Sequence, residues 1–372
     1  MKFAFFGDYF ATNKVTIDPC LTSADVSFIN LESPITKRIR SITKAGPVIK
    51  GDVENLLDLM TQFPNKIFFN LANNHIGDYG QDGIIDTLTA LNSTTASFGG
   101  VSTNNKIEPV FIGNTDVAVI SMCERQFGIS QLGKLGSTSF TADVYSQIIK
   151  LKKSGFFVIA ALHCAEEMNQ WVSPQMRRFF KSLVDVGVDI VYNTHTHVPA
   201  GFEKYGNGII LYGMGNFIID YARWKHLNFT TKSLMFIWED GNISHKWIEC
   251  NPDGIVQFSV PIPEYIEDCN DPLLDDEYKL TALWQEYSVR RYLDSYSGWL
   301  SPSLFSITKR LIKTLIKRDW SYFNKSSSLL KYHLWSCESH RLAVECALGV
   351  LSGELKDCRN VYSKRLLDKY YQ

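Results

Sequence analysis

The sequence lacks the short motifs that mark several large enzyme classes. It contains no GxxxxGK[ST] loop and no GxGxxG turn opening a helix, which argues against P-loop and dinucleotide-binding sites. It also contains no GxSxG serine elbow, and its eight cysteines include no CxxC pair. We therefore expect neither a serine hydrolase of that type, nor structural zinc, nor a disulfide framework.

Long apolar runs are missing as well. The first apolar run, 3–6, stops at Gly7 and Asp8, so we expect neither a signal peptide nor a transmembrane helix at the start of the chain. The unpaired cysteine spacing fits reduced thiols, and we predict a cytoplasmic protein. The formal net charge of −1 gives no specific signal for nucleic-acid binding.

What the sequence does contain, over residues 1–260, is an alternation of short apolar runs and amphipathic stretches. This pattern predicts an α/β domain, and turn signals at 113–116 and 240–242 predict hairpins and therefore mixed sheets. The predicted strands are 2–6, 26–31, 67–71, 117–122, 156–162, 188–192, 209–212, 233–238 and 243–249, and the predicted helices are 53–62, 83–91, 141–153 and 173–186.

The composition changes near Pro261. Residues 263–277 are rich in acidic side chains and read as a solvated linker or an irregular cover. Beyond them the periodicity is helical, with breaks expected near 297–302, 324–328 and 352–353. We therefore predict an α/β domain over 1–262 and a C-terminal all-helical region over 263–372.

Polar side chains cluster at one kind of place in the first 220 residues, just past the carboxyl ends of predicted strands. In an open α/β sheet these ends converge on one crevice, so five strands would deliver their polar groups to a single site. The residues concerned are Asp8, Glu32, Asn74, His75, His163, His195 and His197.

The chemistry of this set is that of a metal site. Carboxylates, imidazoles and a carboxamide oxygen suit divalent manganese, iron or zinc, and two such ions about 3.5–4 Å apart can clamp both oxygens of a phosphoryl transfer. His75, beside Asn74, is placed to protonate a leaving group. Any one of these histidines alone would be interpreted as a hydrogen-bonded structural residue; the combination favours one or two bound ions.

The same residues carry a family resemblance. The sequence resembles the bacterial capsule-synthesis protein CapA family, which is associated with poly-γ-glutamate and polysaccharide capsules and is similar in fold to the calcineurin-like metallophosphoesterases. The resemblance covers about residues 1–260, with five motifs in the family's order. They are 7–8, 30–34, 72–80 with Gly83 and Thr87, His163 with Glu167, and 193–197 followed by 212–217.

The resemblance implies a metallophosphoesterase-like α/β sandwich of mixed sheets flanked by helices. It implies that one metal is held by Asp8 and His197, that Glu32 bridges, and that the other metal is held by Asn74, His163 and His195. His75 matches the general acid, while Asp78 and Glu167 would orient imidazoles or a loop around the metals. One departure matters most: Phe10 stands where metallophosphoesterases usually have a histidine, which leaves the first metal with fewer ligands.

Another signal lies in the C-terminal region. The stretch 307–318 combines one apolar helical stripe with five cationic residues, which is typical of a helix that contacts a membrane surface or a polyanion. The alternative is a core-packed helix with a solvated basic face. Trp284, Trp299, Trp320 and Trp335 are interpreted as core residues, with a carbohydrate-stacking surface as the alternative.

The first functional hypothesis is a metal-dependent phosphoester-type hydrolase that acts on a phosphorylated or anionic substrate in capsule or surface-polymer biosynthesis. The second is a non-catalytic accessory protein that binds an anionic polymer during capsule or poly-γ-glutamate synthesis or export. A third, hydrolysis of a γ-glutamyl amide, would use the same metal site.

Overall fold

We analysed a computed structural model of the 372-residue chain. It describes residues 1–220, 227–274, 277–300, 308, 311–312 and 320–371, with only the backbone of 320–327. Most of the basic stretch 307–318, and the side chain of Trp320, therefore lie outside the described residues. Among the described helices, none combines the length and the apolar composition needed to cross a membrane.

The fold is α/β, as predicted, with two main sheets. The strands are β1 Lys2–Phe10, β2 Thr16–Ile17, β3 Val26–Leu31, β4 Lys66–Asn70, β5 Ser97–Gly99, β6 Val101–Ser102, β7 Val110–Phe111, β8 Val117–Cys123, β9 Gly136–Ser137, β10 Phe157–His163, β11 Ile190–Thr194, β12 Phe202–Tyr205, β13 Gly208–Leu211, β14 Asn216–Ile219, β15 Lys232–Glu239, β16 Asn242–Cys250 and β17 Ile255–Phe258.

Both sheets are mixed, with parallel strands at their centres. The first sheet has the order β2-β17-β16-β15-β1-β3-β4-β5, with β14 also pairing with β1, and the second has the order β12-β13-β11-β10-β8-β7. Strands β1, β3 and β4 run parallel to each other, as do β8, β10 and β11. The two predicted hairpins are present as the antiparallel pairs β7–β8 and β15–β16.

The sheets pack face to face because their strands are apolar on both sides. On β1, Phe3 and Phe5 enter the cluster shared with the second sheet, while Ala4 and Phe6 enter the cluster on the opposite face, as the two-residue period of a strand requires. Tyr192 on β11 donates its hydroxyl to the Phe6 carbonyl at 2.5 Å. This places the carboxyl ends of the two parallel strand sets on the same side of the sandwich.

Helices cover the outside of the sandwich and form the C-terminal region. Those of the α/β part begin and end close to the predicted positions; α1, for example, begins where Asp52 caps it through the backbone N–H of Glu54. In chain order the helices are α1 Val53–Thr61, α2 Gly80–Asn92, α3 Asp143–Lys153, α4 Pro174–Asp185, α5 Tyr265–Asn270, α6 Tyr278–Arg291, α7 Ser297–Leu300, α8 Trp320–Ser336, α9 Glu338–Ser352 and α10 Val361–Tyr370.

One sequence interpretation of the C-terminal half was wrong, and one pair of alternatives can be decided. The predicted break at 324–328 is absent, since α8 continues to Ser336 and the chain breaks at Cys337 instead. Of the two alternatives for 263–277, the described residues 263–274 and 277 support the cover, because Tyr265 is fully buried and donates its hydroxyl to the Pro199 carbonyl at 2.7 Å. The expected break near 352–353 is present, where Gly353 adopts φ 79° after α9.

Candidate metal centre

The predicted site residues come together at the carboxyl ends of the central strands of both sheets. The first sheet contributes the ends of β1, β3 and β4, and the second contributes the ends of β10 and β11. Every predicted ligand is buried, and the most exposed of them, Asn74, is only 6% exposed. The set is Asp8, Glu32, Asn74, His163, His195 and His197.

One sequence expectation needs correcting at Asp8. The first strand was expected to end at Phe6, but β1 continues to Phe10 because it pairs in parallel with β14, where Asp8 lies opposite Asn216. The backbones approach closely there, and a Cβ atom on Gly7 would lie 1.7 Å from the Gly215 carbonyl oxygen. Asp8 is therefore held inside a strand rather than in a loop.

One half of the site surrounds His163, the last residue of β10. Its Nε2 atom lies 3.1 Å from Asn74 Oδ1 and 3.6 Å from Glu32 Oε1. Its Nδ1 atom contacts the hydroxyl of Thr194 at 2.9 Å, which orients the ring. One potential ligand atom from each of Glu32, His163 and His195 lies within 4.8 Å of the others.

The other half lies between Asp8 and His197. Asp8 Oδ2 is 3.4 Å from His197 Nδ1 and accepts the backbone N–H of His195 at 3.2 Å. His197 Nδ1 also contacts Asn216 Oδ1 at 2.8 Å, which fixes the ring. The carboxylate of Glu167 approaches this half, within 4.8 Å of ring nitrogens of His195 and His197.

The turn after β11 has unusual backbone geometry. His195 and His197 adopt φ values of 88° and 56°, a region that residues with a side chain rarely occupy. Such conformations cost of order 1–3 kcal/mol each and persist where the surrounding structure enforces them, often at functional sites. Here the turn aims two histidines on alternate positions toward the same crevice.

Burial shapes the electrostatics of the site. It raises the pKa of Asp8 to about 7 and, together with the charge of Asp8, raises the pKa of Glu32. Burial lowers the pKa of His163 and His195 well below the usual value, and that of His197 to about 3. The crevice thus presents neutral imidazoles and two carboxylates whose charges repel, an arrangement that a bound cation stabilises.

A divalent metal fits this donor set. Glu32 Oε1 and His195 Nδ1 are buried and have no hydrogen-bond partner among the described residues. Buried polar atoms are normally satisfied, so these two atoms point to a ligand in the crevice. Within the described part of the chain, no lysine or arginine forms an ion pair with Asp8 or Glu32.

His75 lies beside this crevice and is held by two charged side chains. Its Nδ1 atom is 2.7 Å from Asp78 Oδ2 and 3.0 Å from Lys44 Nζ, and Lys44 also pairs with Asp78. Burial, and then the charge of Lys44, lower the pKa of His75, while Asp78 opposes this. The contact with Asp78 agrees with its predicted orienting role and directs the Nε2 side of the ring away from Asp78.

Lys44 was not found from the sequence. It lies in an irregular segment, apart from every motif, and its side chain is only 1% exposed. Burial lowers its pKa, and Asp78 is the main opposing group. A lysine preceding Ala-Gly-Pro carries no local sign that it will be buried, so only the three-dimensional contact with His75 reveals it.

Two further groups were missed, and both are side-chain amides. Asn30 donates its amide to Asp8 Oδ1 at 2.8 Å and also to Glu32, so it joins the two carboxylates. Gln126 Nε2 lies 2.6 Å from His195 Nε2, which leaves Nδ1 as the donor atom toward the crevice. Asn30 stood within a recognised motif, whereas Gln126 carries no sequence signal.

The C-terminal helices contact the loops that hold the site. Glu124, just past β8, accepts hydrogen bonds from the Ser339 backbone N–H at 2.9 Å and from the Ser339 hydroxyl at 3.0 Å. Glu166, just past β10, accepts hydroxyl hydrogen bonds from Tyr287 at 2.9 Å and Tyr296 at 2.8 Å. Phe127 stacks on His333 at 4.3 Å between ring centroids. These helices therefore cover the strand ends that carry His163 and the loop that carries Gln126.

Known proteins resemble the part of the chain that contains this site. A family described as bacterial capsule synthesis protein PGA_cap matches residues 9–221. The capsule biosynthesis protein CapA of Bacillus anthracis is 34% identical over 222 residues, which are 55% of this chain and 53% of that protein.

Two more distant relatives align over a similar length. The PGA biosynthesis protein CapA of Bacillus subtilis (strain 168) is 25% identical over 218 residues, 55% of this chain and 56% of that protein. A probable polyglutamine synthesis accessory protein of Mycobacterium tuberculosis is 25% identical over 218 residues, 54% of this chain and 57% of that protein. The chain thus spans about half the length of the curated relatives that it matches.

Proposed function

Because this chain belongs to the bacterial capsule synthesis protein PGA_cap family, we propose that it is a metal-dependent hydrolase of phosphoester type in capsule or surface-polymer biosynthesis. One observation carries the proposal. Buried carboxylate, carboxamide and imidazole donors from five strand ends face one crevice, with Glu32 Oε1 and His195 Nδ1 lacking partners among the described residues.

Each donor has a place in the proposed site. Asn74, His163 and His195 would hold one divalent ion, Asp8 and His197 the other, and Glu32 would lie between them. Manganese, iron and zinc all suit this mixture of oxygen and nitrogen donors. When bound, such ions supply Lewis-acid stabilisation of the charge that develops on a phosphoryl group.

The protein's own contribution to proton transfer is His75. Asp78 fixes the ring through Nδ1, so Nε2 is the atom that exchanges a proton with a leaving oxygen. The pKa of His75 is lowered in the free site by burial and Lys44. A phosphoryl group beside the ring favours the charged imidazolium, so an anionic substrate would itself help to protonate His75.

The substrate class follows from the charges in the site. A dianionic or monoanionic phosphoester complements a crevice that also holds cations, whereas a neutral substrate gains less from them. The printed names of the relatives refer to capsule, PGA and polyglutamine synthesis. γ-Glutamyl peptides are therefore the second substrate class to test.

We propose that the reaction takes place in the cytoplasm, because the cysteine spacing fits reduced thiols, and subcellular fractionation tests that location.

The experiment is a hydrolysis panel on the full chain, loaded separately with manganese, iron and zinc. It compares a phosphomonoester, a phosphodiester and a γ-glutamyl peptide, using wild type, Asn74→Ala and His75→Ala, with His245→Ala as a histidine control outside the site. We expect metal-dependent phosphoester cleavage that both site variants lose and the control keeps. Equal activity in all four proteins, or cleavage of the peptide alone, would contradict the proposal.

A further inference from the structure

The half of the site around His197 is short of ligands when only the predicted residues are counted. Asp8 and His197 supply it, and Phe10, two residues along β1 from Asp8, offers no donor atom. His163, which contacts Asn74 through Nε2 at 3.1 Å, is assigned with Asn74 to the other ion. A protein-held divalent ion usually has at least three protein ligands. Glu32, shared between the two ions, brings this half to three protein ligands, one fewer than the four of the half around His163. A further donor would make the two halves equal.

We propose that Glu167 is a direct ligand of the ion held by His197, and so completes a two-ion site. This inference shares one premise with the proposed function, namely that the crevice binds metal, and it does not require hydrolysis. A carboxylate oxygen of Glu167 lies within 4.8 Å of a ring nitrogen of His197, and within the same distance of a ring nitrogen of His195, the histidine assigned to the other ion. Donors about 2.1 Å from one ion lie at most about 4.2 Å apart, so a small contraction of the group suffices.

The backbone holds Glu167 against the turn that carries these histidines. The next residue, Met168, donates its N–H to the carbonyl of Thr196, between the two histidines, at 2.9 Å. Met168 adopts φ 60° and Ala165 adopts φ 83°, so the loop is held in an unusual conformation on both sides of Glu167. The loop that carries Glu167 is thus hydrogen-bonded to the turn that carries His195 and His197, and both segments have strained backbones.

The orientation of both rings fits this role. Gln126 occupies the Nε2 side of His195, and the buried Nδ1 atom has no hydrogen-bond partner among the described residues. Asn216 contacts Nδ1 of His197 at 2.8 Å and fixes that ring. Both rings are thus oriented by side chains outside the crevice, as is usual for imidazoles that bind metals.

The neighbouring residue, Glu166, offers a matched control for Glu167. Glu166 is fully committed to the C-terminal helices, through the hydroxyls of Tyr287 and Tyr296. Glu167 lies one residue further along and is half-buried at the edge of the crevice. Glu166→Gln therefore provides a matched control, because it changes the same side chain in the same loop without touching the proposed ligand.

The test is metal binding, measured without reference to activity. Chelated full-length protein is titrated with Mn²⁺, and bound ions are counted by calorimetry and by electron paramagnetic resonance, which distinguishes a coupled Mn²⁺ pair from a single ion. We expect two ions and a coupled pair in wild type and Glu166→Gln. We expect Glu167→Gln to lose the coupled pair and to bind one of the ions at least tenfold more weakly.

Thermal denaturation of the metal-free proteins checks that each variant is folded, and Glu167→Ala replaces Glu167→Gln if that variant is not. Two unchanged ions in the Glu167 variant, or a single ion in wild type, would overturn the role of Glu167 but leave the proposed hydrolase standing. No bound ion in wild type would instead refute the proposed function itself.

Discussion

The α/β part of the chain and the C-terminal helices differ in what their buried carboxylates and hydroxyls contact. In the first region, the carboxylates of Asp8 and Glu32 lie in the same buried crevice as the four site histidines. Two atoms there, Glu32 Oε1 and His195 Nδ1, have no hydrogen-bond partner among the described residues and could bind a ligand. In the second region, hydroxyl groups donate hydrogen bonds to carboxylates of the first region. Tyr287 and Tyr296 donate to Glu166, and Ser339 donates to Glu124.

This difference suggests that the first region binds the ligand and that the second region supports the loops around it. In the site, Glu32 Oε1 and His195 Nδ1 lack hydrogen-bond partners among the described residues, at a cost in stability. The tyrosine and serine hydroxyls of the second region instead satisfy buried carboxylates, although atoms of His333 and His340 there also lack a hydrogen-bond partner in the described part of the chain. Glu124 and Glu166 connect the two regions, because Glu166 follows β10, Glu124 follows the neighbouring strand β8, and both carboxylates accept hydrogen bonds from the C-terminal helices. Variants of the first region should therefore change chemistry, and variants of the second should change stability.

The largest effect is expected from Asn74→Ala. The change removes a ligand atom but no large side chain, so phosphoester hydrolysis should fall by at least ~100-fold while the metal-free protein unfolds within about 1 kcal/mol of wild type. Hydrolysis rates and urea denaturation measure the two quantities. Global destabilisation together with retained activity would reverse the proposed division.

Lys44→Met should affect both quantities. Removing the ammonium leaves Asp78 buried without its ion-pair partner, which typically costs about 3–5 kcal/mol of folding free energy. The pKa of His75 should rise, because Lys44 is one of the groups that lower it. Urea denaturation and the pH profile of phosphodiester hydrolysis test this, with Lys50→Met as the control. An unchanged pH profile would exclude coupling between Lys44 and His75.

Tyr287→Phe and Tyr296→Phe should act on stability alone. Each removes a hydroxyl that donates to the buried carboxylate of Glu166, so we expect each to destabilise the protein by about 1–3 kcal/mol. The number of ions bound per chain should not change. Tyr278→Phe, at an exposed position, is the control. Loss of metal without loss of stability would place these tyrosines in the site rather than in its support.

The smallest effect at neutral pH is expected from His340→Phe, and it grows only as the pH falls. Burial lowers the pKa of His340 to about 3, so the folded protein resists a proton that the unfolded chain accepts near pH 6.5. Its contribution is present above about pH 6.5 and is lost as the pH falls toward 3, by at most ~1.4 kcal/mol per pH unit. Urea denaturation of chelated wild type should show a steeper acid loss than His340→Phe. Equal slopes would contradict a neutral, buried His340.

Much of the site could be predicted from the sequence because its residues follow buried strands. Strand β10 is a continuous apolar run up to His163, and a polar residue at the end of such a run stands out. The convergence of the site residues follows from the parallel order of the strands. The capsule-family resemblance added the ligand roles over about residues 1–260, and the family match covers 9–221 of that range.

The rest could not be predicted because it depends on contacts between distant segments. Lys44 and Gln126 reach the site across 31 and 69 residues of chain, and no local pattern marks either one. The extension of β1 to Phe10 depends on pairing with β14, about 200 residues away. Ser339 reaches Glu124 across 215 residues, so the cover formed by the C-terminal helices was equally hidden.

The most direct test of the account is the hydrolysis of a phosphodiester by chelated protein as Mn²⁺ is added back, for wild type and His163→Ala. We predict that wild type is inactive after chelation and regains activity in step with bound metal, whereas His163→Ala binds metal weakly and stays inactive. Activity that survives chelation, or that is the same in both proteins, would contradict a metal-dependent hydrolase.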